Sequence, residues 1–382
     1  MNRLILLGNG FDLAHGMKTK YSDFIFSYLK DCFLKASKTE EYSDELIWIK
    51  KVLVIEYRKI EEITDLKDFL FFLSDDDEIA AVLRSLEMKI IHKHYSKEYL
   101  FKIKSPFLKQ MICGNRNYDW VNIENEYYFN LKKLLAVSDD IDSVIKELNL
   151  SLQTIIRNLE VYLEKQKPKY FDERFCSIFS ESIDKDDIVT TTITSHRPDN
   201  ILILNFNYTR TVEEYFNNPQ YSFFNKKVKI NYIHGNINSS DNPMIFGFGD
   251  ELDEDYKKIE SENREGFLNF IKSFWYFKTS NYHDLIRFID SGEFQVYILG
   301  HSCGLSDRTM LNMIYEHVNC KSIKIFYYGN KSENNYTKLT QEISRHFNDK
   351  GVMRKKIVPF VLSHSMPQPA LDRKFITTAN KA

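Results

Sequence analysis

Residues 3–16 are RLILLGNGFDLAHG, an apolar run that ends in a glycine turn. The run Arg3–Leu7 is apolar almost throughout, as is typical of a strand that is buried on both faces of a parallel sheet. Gly8-Asn9-Gly10 then turns the chain toward a helix. This N-terminal stretch therefore predicts the first strand and crossover of an α/β fold.

From about residue 187 the same pattern recurs: short apolar runs each lead to glycine, asparagine or histidine. We predict strands at Ile201–Leu204, Val228–Ile233, Met244–Phe246, Phe294–Leu299 and Ile323–Tyr328. Helical patterns lie between several of them, at Glu265–Ile289, Arg308–His317 and Tyr336–Phe347. Strands that alternate with helices indicate a mostly parallel, Rossmann-like sheet, and ligands bind such sheets at the carboxyl ends of the strands.

The stretch between the first strand and residue 187 has helical periodicity instead. One helical face carries Tyr21, Phe24, Ile25, Tyr28 and Leu29, with Ser22 as the expected N-cap. Further helical patterns lie at Leu46–Ile60, Ile79–Ile91, Trp120–Val137 and Asp140–Lys165. We therefore predict a core built from residues 1–21 and 188–350, a large helical insertion at 22–187, and a C-terminal tail at 351–382. The stretch after Val358 is polar, contains two prolines and is expected to be partly disordered.

Composition excludes several classes of protein. The 382 residues include 52 Lys and Arg and 54 Asp and Glu, a net charge of −2, which argues against a general polyanion-binding surface. The five cysteines form no C-x-x-C pair, so neither a disulfide framework nor a structural zinc site is expected. No apolar run has the length of a signal peptide or a membrane span. We expect a cytoplasmic protein without a metal or membrane contact.

The first turn offers candidate ligand contacts. A strand, a glycine turn and a helix can cradle a dinucleotide phosphate with backbone amides. Gly8, Asn9, Gly10, Asp12 and His15 are the candidates, although Leu13 occupies the third glycine position of G-x-G-x-x-G. A plain tight turn, with His15 as a cap, is the alternative.

Two later strands end in residues suited to catalysis. In Asn205-Phe206-Asn207-Tyr208-Thr209, the amide of Asn207 could orient a water or a ribose hydroxyl, and an Asx turn is the alternative. His234 leaves its strand just before Gly235, which would leave room for a ligand, and it is placed for proton transfer. A buried histidine bonded to a backbone carbonyl is the alternative there.

A third strand ends at Gly300-His301-Ser302-Cys303-Gly304, which matches the G-x-S-x-G nucleophile elbow. A serine hydrolase that uses Ser302 is therefore an alternative function. It would need a histidine after Ser302, and two of the three available, His317 and His346, fall on predicted helices. Ser306 or Asp307 is explained more simply as the N-cap of the next helix.

In combination these motifs resemble one family. They are Leu7 to Gly16 with Thr19, Tyr21 and Phe24; Trp120 with Glu124; Asn205 to Thr209; His234-Gly235; Phe246-Gly247; and Gly300-His301-Ser302 with Asp307. Over about residues 1–350 they resemble the phage abortive-infection AbiH family, with Cys303 as a departure where leucine is expected. The family is similar, more distantly, to sirtuin-like defence domains that consume NAD. Thr209 stands where those domains usually carry aspartate, and without a C-x-x-C zinc motif lysine deacylation is disfavoured.

The resemblance implies an antiphage effector that hydrolyses NAD, with a phage-derived trigger and self-association as further expectations. It assigns catalysis to Asn207 and His234. The expected ligand contacts are Gly8, Asn9, Gly10, Asp12, His15, Gly300, His301, Ser302 and Asp307. Tyr232 or Phe248 could stack a base. A non-catalytic nucleotide sensor or scaffold and, less favoured on charge, a nuclease are alternatives to the NAD hydrolase.

Overall fold

The computed structural model describes residues 1–51, 60–72, 99–113, 120–136, 140–189, 197–217 and 228–372. The chain divides into two compact units. The sheet unit comprises Met1–Thr19, Leu163–Lys258 and Phe270–Ala382, and the insertion unit comprises Lys20–Tyr162 and Ile259–Asn269.

The described residues form eight strands. In chain order they are β1 (Asn2–Leu7), β2 (Glu41–Ser43), β3 (Ile47–Lys51), β4 (Tyr99–Ile103), β5 (Ile201–Asn205), β6 (Val228–Tyr232), β7 (Phe294–Leu299) and β8 (Cys320–Phe326). Five of them build the sheet of the sheet unit, in the order β6-β5-β1-β7-β8, and every pairing is parallel. The prediction of an α/β protein with a mostly parallel sheet is therefore confirmed.

Helices account for much of the remaining described chain. In chain order they are Asn9–Ala14, Tyr21–Thr39, Leu66–Phe72, Pro106–Cys113, Trp120–Leu134, Ile141–Glu164, Glu173–Ser180, Glu214–Asn217, Glu254–Ser261, Lys272–Tyr276, Asn281–Asp290, Arg308–Glu316, Tyr336–Ser344 and Lys350–Lys356. Among the described residues we find no helix with the length and apolar character needed to cross a membrane.

The core of the sheet unit lies on both faces of its sheet, because successive side chains of a strand point to opposite faces. Leu4 and Leu6 of β1 belong to one buried cluster, together with Val296 of β7. Ile5 and Leu7 belong to the cluster on the other face. Burial on both faces explains why these strands are apolar throughout rather than alternating.

The segment Met244–Phe246 corrects one strand prediction. It is an irregular loop in which Ile245 N donates to His234 O over 2.8 Å. Only the next residue but one, Phe248, forms an isolated parallel bridge, with Ile271. The backbone of this segment bonds to the loop at His234 and not to a neighbouring strand, so the described sheet has five strands and not six.

The insertion corrects a second prediction. Leu46–Ile60 has an apolar stripe that predicts a helix, but β3 occupies Ile47–Lys51 and buries Ile47 and Ile49, two residues apart. The period-two pattern prevails there, and β2, β3 and β4 form an antiparallel sheet. The insertion unit is therefore mixed rather than helical, whereas the helix predicted at Ile79–Ile91 lies outside the described residues.

Two helix predictions also differ in detail. The helix that begins at Tyr21 has Lys20 as its N-cap and no side-chain cap bond, so Ser22 is not the cap. The pattern at Glu265–Ile289 corresponds to two helices, Lys272–Tyr276 and Asn281–Asp290, with a turn between them.

The unit boundaries differ from the predicted boundaries at both ends of the insertion and in the tail. The sheet unit begins again at Leu163 rather than at residue 188, and Phe175 and Phe179 pack in the same cluster as Ile5 and Leu7. The described part of the tail packs within the sheet unit: Val358 N donates to Ile323 O, and Met366 is buried.

The order of the strands identifies the edge where a ligand would bind. From β1 the chain proceeds to β5 on one side and then outward to β6, and it later returns to β7 on the other side of β1. The connections therefore reverse direction at β1 and β7. In open parallel sheets the crevice at the carboxyl ends of such a strand pair is the usual ligand site.

Candidate functional site

The carboxyl ends of β1, β5 and β7 are tied together by hydrogen bonds between their loops. Gly8 N donates to Leu299 O over 3.0 Å and Gly10 N donates to Gly300 O over 2.9 Å. From the other side, Asn207 Nδ2 donates to Gly8 O over 3.0 Å. The first glycine turn is thus held between the loops that follow β5 and β7.

The glycines are required by this close approach. A Cβ on Gly300 would lie 2.4 Å from Phe11 N, and φ is +70° at this residue, a conformation that other residues adopt at a cost. A Cβ on Gly10 would lie 2.7 Å from Gly300 Cα. Gly8, Gly10 and Gly300 therefore lie where two loops pack closely against each other. This packing explains why glycine occupies the three positions, without a ligand.

The expected phosphate cradle at Gly8–Gly10 needs correction for the same reason. The amides of Gly8 and Gly10 donate to backbone carbonyls, and the Asn9 side chain donates to Thr19 O over 3.1 Å. The helix Asn9–Ala14 has only six residues. These amides are not available to a pyrophosphate, so we no longer propose them as ligand contacts.

The two asparagines after β5 have different roles. Asn205 Oδ1 accepts from Asn207 N over 3.0 Å, and its Nδ2 donates to Thr209 O over 3.3 Å. Asn205 therefore forms the Asx turn that was the alternative for this segment. Asn207 is buried too, but its amide crosses to β1 at Gly8, which places it at the junction of the two loops.

Asp12 lies beneath this segment rather than at the surface. Its Oδ2 accepts from Thr209 Oγ1 over 2.5 Å, and only 1% of the residue is exposed. Burial raises the pKa of Asp12 to about 6, and the Thr209 hydrogen bond opposes that rise. We assign Asp12 to support of the Asn205–Thr209 segment, and we do not retain the expected ligand contact.

His15 is a structural histidine. Its Nδ1 lies 2.6 Å from Phe11 O and its Nε2 lies 2.7 Å from the Tyr215 hydroxyl, while its ring stacks on Phe175. Burial lowers the pKa of His15 to about 4, so the ring stays neutral at pH 7. Both nitrogens bond within the protein, so a ligand contact by His15 is not retained either.

A buried cluster of charged and titratable groups surrounds the Asp307 carboxylate. Lys272 Nζ donates to Asp307 Oδ1 over 2.8 Å, and His234 Nε2 lies 3.1 Å from the same oxygen. His301 Nε2 lies 3.8 Å from Oδ2. None of the four residues is more than 6% exposed. The expected residues His234, His301 and Asp307 thus come together, and Lys272 joins them.

Phe206 and the His301 backbone connect this cluster to the glycine turn. The Phe206 ring centroid lies 5.0 Å from that of His234 and 4.1 Å from that of His301. A Cβ on Gly8 would lie 2.5 Å from His301 Cα. His234 and Asn207 are therefore at the same edge of the sheet: Asn207 contacts the glycine turn, and its neighbour Phe206 contacts His234.

The protonation of the cluster follows from its charges. Burial alone raises the pKa of Asp307, but Lys272 and the two imidazoles outweigh burial and hold that pKa well below its usual range. Burial lowers the pKa of His301 to about 4, despite the attraction of Asp307. Its Nδ1 accepts from Cys303 N over 3.0 Å, so the proton of its neutral ring is on Nε2.

The geometry assigns a tautomer to His234 as well. Its Nε2 faces the ionised Asp307 carboxylate, which only accepts, and the Tyr276 hydroxyl lies 3.1 Å from the same nitrogen. The proton of the neutral ring is therefore on Nε2. Nδ1 keeps the lone pair, and the hydrogen bonds of the described residues give Nδ1 no partner. A carboxylate that orients an imidazole in this way prepares it to accept a proton.

Asp307 occupies the position that sequence analysis predicted, but its carboxylate does something else. It is the N-cap residue of the helix Arg308–Glu316, yet its side chain makes no cap hydrogen bond. The carboxylate instead accepts from Lys272 and faces the two histidines. Asp307 is therefore at the predicted N-cap position, but its side chain does not cap the helix.

The structure does not support the roles expected for Gly235 and Ser302. The space beside Gly235 is occupied, because a Cβ there would lie 2.0 Å from Pro243 O. Ser302 is exposed, and the positive φ of this loop falls on Gly300 and Cys303 instead. His346, which a triad could have used, bonds Cys303 O over 2.8 Å. The structure thus provides no support for a nucleophile elbow at Ser302.

Sequence reasoning missed Lys272 and Tyr276, which the helix Lys272–Tyr276 brings to the cluster. The available signal was a lysine inside the aromatic stretch Phe267–Trp275, where a charged residue is unexpected on a buried face. The residues expected to stack a base are engaged: Tyr232 donates its hydroxyl to Glu213 Oε1 over 2.7 Å, and Phe248 is buried. Within the described parts of the chain, no group of histidine, cysteine and carboxylate side chains has the arrangement of a metal site.

The chain matches a model of a protein family. The family model described as bacteriophage abortive infection AbiH matches residues 4–328, which include the five-stranded sheet and the cluster around Asp307. No curated protein matches the chain. Because the family model covers most of the 382 residues, the chain belongs to the bacteriophage abortive infection AbiH family.

Proposed function

We propose that the chain is an enzyme of abortive infection and that it hydrolyses NAD at the nicotinamide–ribose bond. The observation that carries the proposal is the Asp307–His234 pair at the carboxyl edge of the sheet, in which the hydrogen bonds of the described residues leave Nδ1 of His234 without a partner. The five parallel strands, with connections that reverse direction at β1 and β7, support a nucleotide ligand at this edge, and we propose a dinucleotide. We choose NAD among dinucleotides because the order of the sequence motifs resembles that of sirtuin-like domains.

The chemistry requires little from the protein beyond placement and one proton acceptor. The bond between nicotinamide and the ribose C1′ breaks with its electron pair going to nicotinamide, which leaves as a neutral molecule. Water supplies the oxygen of the new C1′–O bond, and its proton passes to Nδ1 of His234. Asn207, whose Nδ2 is fixed by Gly8 O, orients the water or a ribose hydroxyl through Oδ1.

The pyrophosphate needs a donor other than the glycine amides. Two basic side chains near the cluster are paired with carboxylates, Lys272 with Asp307 and Arg308 with Asp250. Arg210 follows the Asn205–Thr209 segment, is exposed, and donates to the neutral amide of Asn236 over 3.2 Å. A guanidinium with a neutral partner retains its charge for a phosphate, so we assign the pyrophosphate to Arg210.

The test in cells follows NAD during phage challenge. Cells that express the wild-type chain should lose NAD, because the abortive response proceeds through its hydrolysis. Cells that express His234→Gln should keep NAD and lose protection, whereas the exposed Lys278→Met should behave as wild type. Protection by the wild-type chain with unchanged NAD would contradict the proposal.

A nucleotide sensor without turnover is the second candidate. It is favoured by the low exposure of His234 and Asn207, at 5% and 7%. Calorimetry with NAD and ADP-ribose separates the two functions, because the sensor binds NAD and leaves it intact. Arg210→Gln should weaken binding of both ligands whichever function holds.

A further inference from the structure

The outer edge of β8 is covered by residues 357–366, which we call the edge cap. β8 is the terminal strand of the described sheet, and a terminal strand presents unpaired N–H and C=O groups along its outer side unless something covers them. At one end of the cap, Val358 N donates to Ile323 O over 3.0 Å. At the other end, Met366 N donates over 2.8 Å to the carbonyl of Tyr327, the residue after β8. The cap thus pairs with the edge of β8 at two points.

The shape of the cap prevents it from serving as a regular strand. Its two parallel bridges join Ile323 to Ile357 and Tyr327 to Ser365, so four steps along the edge correspond to eight along the cap. The additional residues include the turn Phe360–Leu362. A segment that bulges in this way covers an edge without offering an extended edge of its own to another chain.

The cap is attached to both faces of the sheet. The centroid of the Phe360 ring lies 5.2 Å from that of Tyr327 and 5.3 Å from that of Tyr336, and Phe360 packs against the buried cluster on one face. Met366 belongs instead to the buried cluster on the opposite face. The cap therefore crosses the edge of the sheet, and Phe360 and Met366 attach it on the two sides.

We infer that the edge cap is releasable and that its release lets β8 pair with β8 of a second copy of this chain. The cap is bonded to the edge at two points rather than along a continuous ladder, so it can open locally while the sheet stays intact. The edge that it leaves is a template for another strand. The inference does not depend on NAD hydrolysis.

A second copy fits this edge because of its symmetry and its charges. Two identical edge strands related by a two-fold axis pair antiparallel, and each supplies the donors and acceptors that the other needs. With the axis at Ile323, Lys321 lies opposite Ile325 of the second copy. Lys324 then lies opposite Ser322, so no two lysines face each other across the pair.

Sedimentation of full-length variants tests the inference. Phe360→Ser combined with Met366→Ser removes the apolar contacts on both faces, so the cap should release and the protein should have about twice the wild-type mass. An excess of a synthetic peptide of residues 357–366 should restore the wild-type mass, because the peptide covers the edge of β8. Val361→Ser is the matched control: Val361 lies in the same turn but is 85% exposed, so this variant should sediment as wild type.

A folded double variant with the wild-type mass, or a dimer that the peptide leaves intact, would overturn the inference. Hydrogen exchange in the unmodified protein covers the case in which the double variant does not fold. The three amides bonded between cap and edge, those of Val358, Tyr327 and Met366, should exchange about 10²-fold faster than the amides of β1, because release of the cap exposes them. Equal rates would show that the cap opens only when the whole sheet unfolds, which would overturn the inference as well.

Discussion

At the scale of single residues, a structural histidine is distinguished from a functional one by whether both of its ring nitrogens have hydrogen-bond partners. His15 and His234 are both buried, and both follow glycine-rich or strand-end segments. Both nitrogens of His15 have protein partners, whereas in the described parts of the chain only Nε2 of His234 has one. The same test distinguishes Asn205, which forms a local turn, from Asn207, which reaches another loop. Sequence analysis could name these residues, but their hydrogen bonds are set by distant segments.

Asp12 provides a prediction at this scale. Its pKa is raised from 3.8 to about 6, mainly by burial, so between these values only the folded state holds the proton. The stabilisation from that proton is complete below pH 3.8 and is lost as the pH rises through 6. Asp12→Asn, which keeps an acceptor for Thr209, should therefore be more stable than wild type by about 1–3 kcal/mol above pH 6.

Urea unfolding of wild type and Asp12→Asn at several pH values measures this difference. It should shrink as the pH falls from 7 toward 4. His15 and His301, whose pKa values are lowered, affect both proteins equally and cancel from the comparison. A stability difference that does not change with pH would show that the Asp12 carboxyl does not titrate as described.

At the scale of elements, the site depends on how three loops pack at the end of the sheet. Gly8 and Gly10 of the first loop meet Gly300 of the third, and Asn207 of the second bonds Gly8 O. The sequence identified each loop, because each follows a predicted strand. It could not show that the glycines face one another and not a phosphate, since the same motif serves both purposes. The amides that would hold a phosphate are engaged between loops.

Gly300→Ala tests this packing. Its Cβ would lie 2.4 Å from Phe11 N at a φ of +70°, and backbone on both sides cannot yield easily. We expect a loss of unfolding free energy of about 2 kcal/mol or more, measured in urea. Gly292→Ala is the matched control, because no atom lies within 4 Å of the added methyl group. Equal stability of the two variants would contradict the loop contact.

At the scale of the whole molecule, the sheet was predictable and the insertion was only partly so. Continuous apolar runs such as β1 and β7 have one physical explanation, burial on both faces, and they were assigned correctly. The insertion combines helices with the short strands β2, β3 and β4, and the pairing of β3 with β4 joins residues far apart in the chain. The contact of Lys272 could not be predicted from the sequence for the same reason, because its partner Asp307 lies 35 positions away and on another element.

The most direct measurement is the release of nicotinamide from NAD by the purified full-length protein. The wild-type chain should produce nicotinamide and ADP-ribose in equal amounts. His234→Gln keeps a donor for Asp307 but has no titratable base, so kcat should fall by about 10²–10⁴ while the fold is retained. Lys278→Met should match wild type. Equal turnover by His234→Gln and wild type, or binding of NAD without any cleavage, would contradict the account.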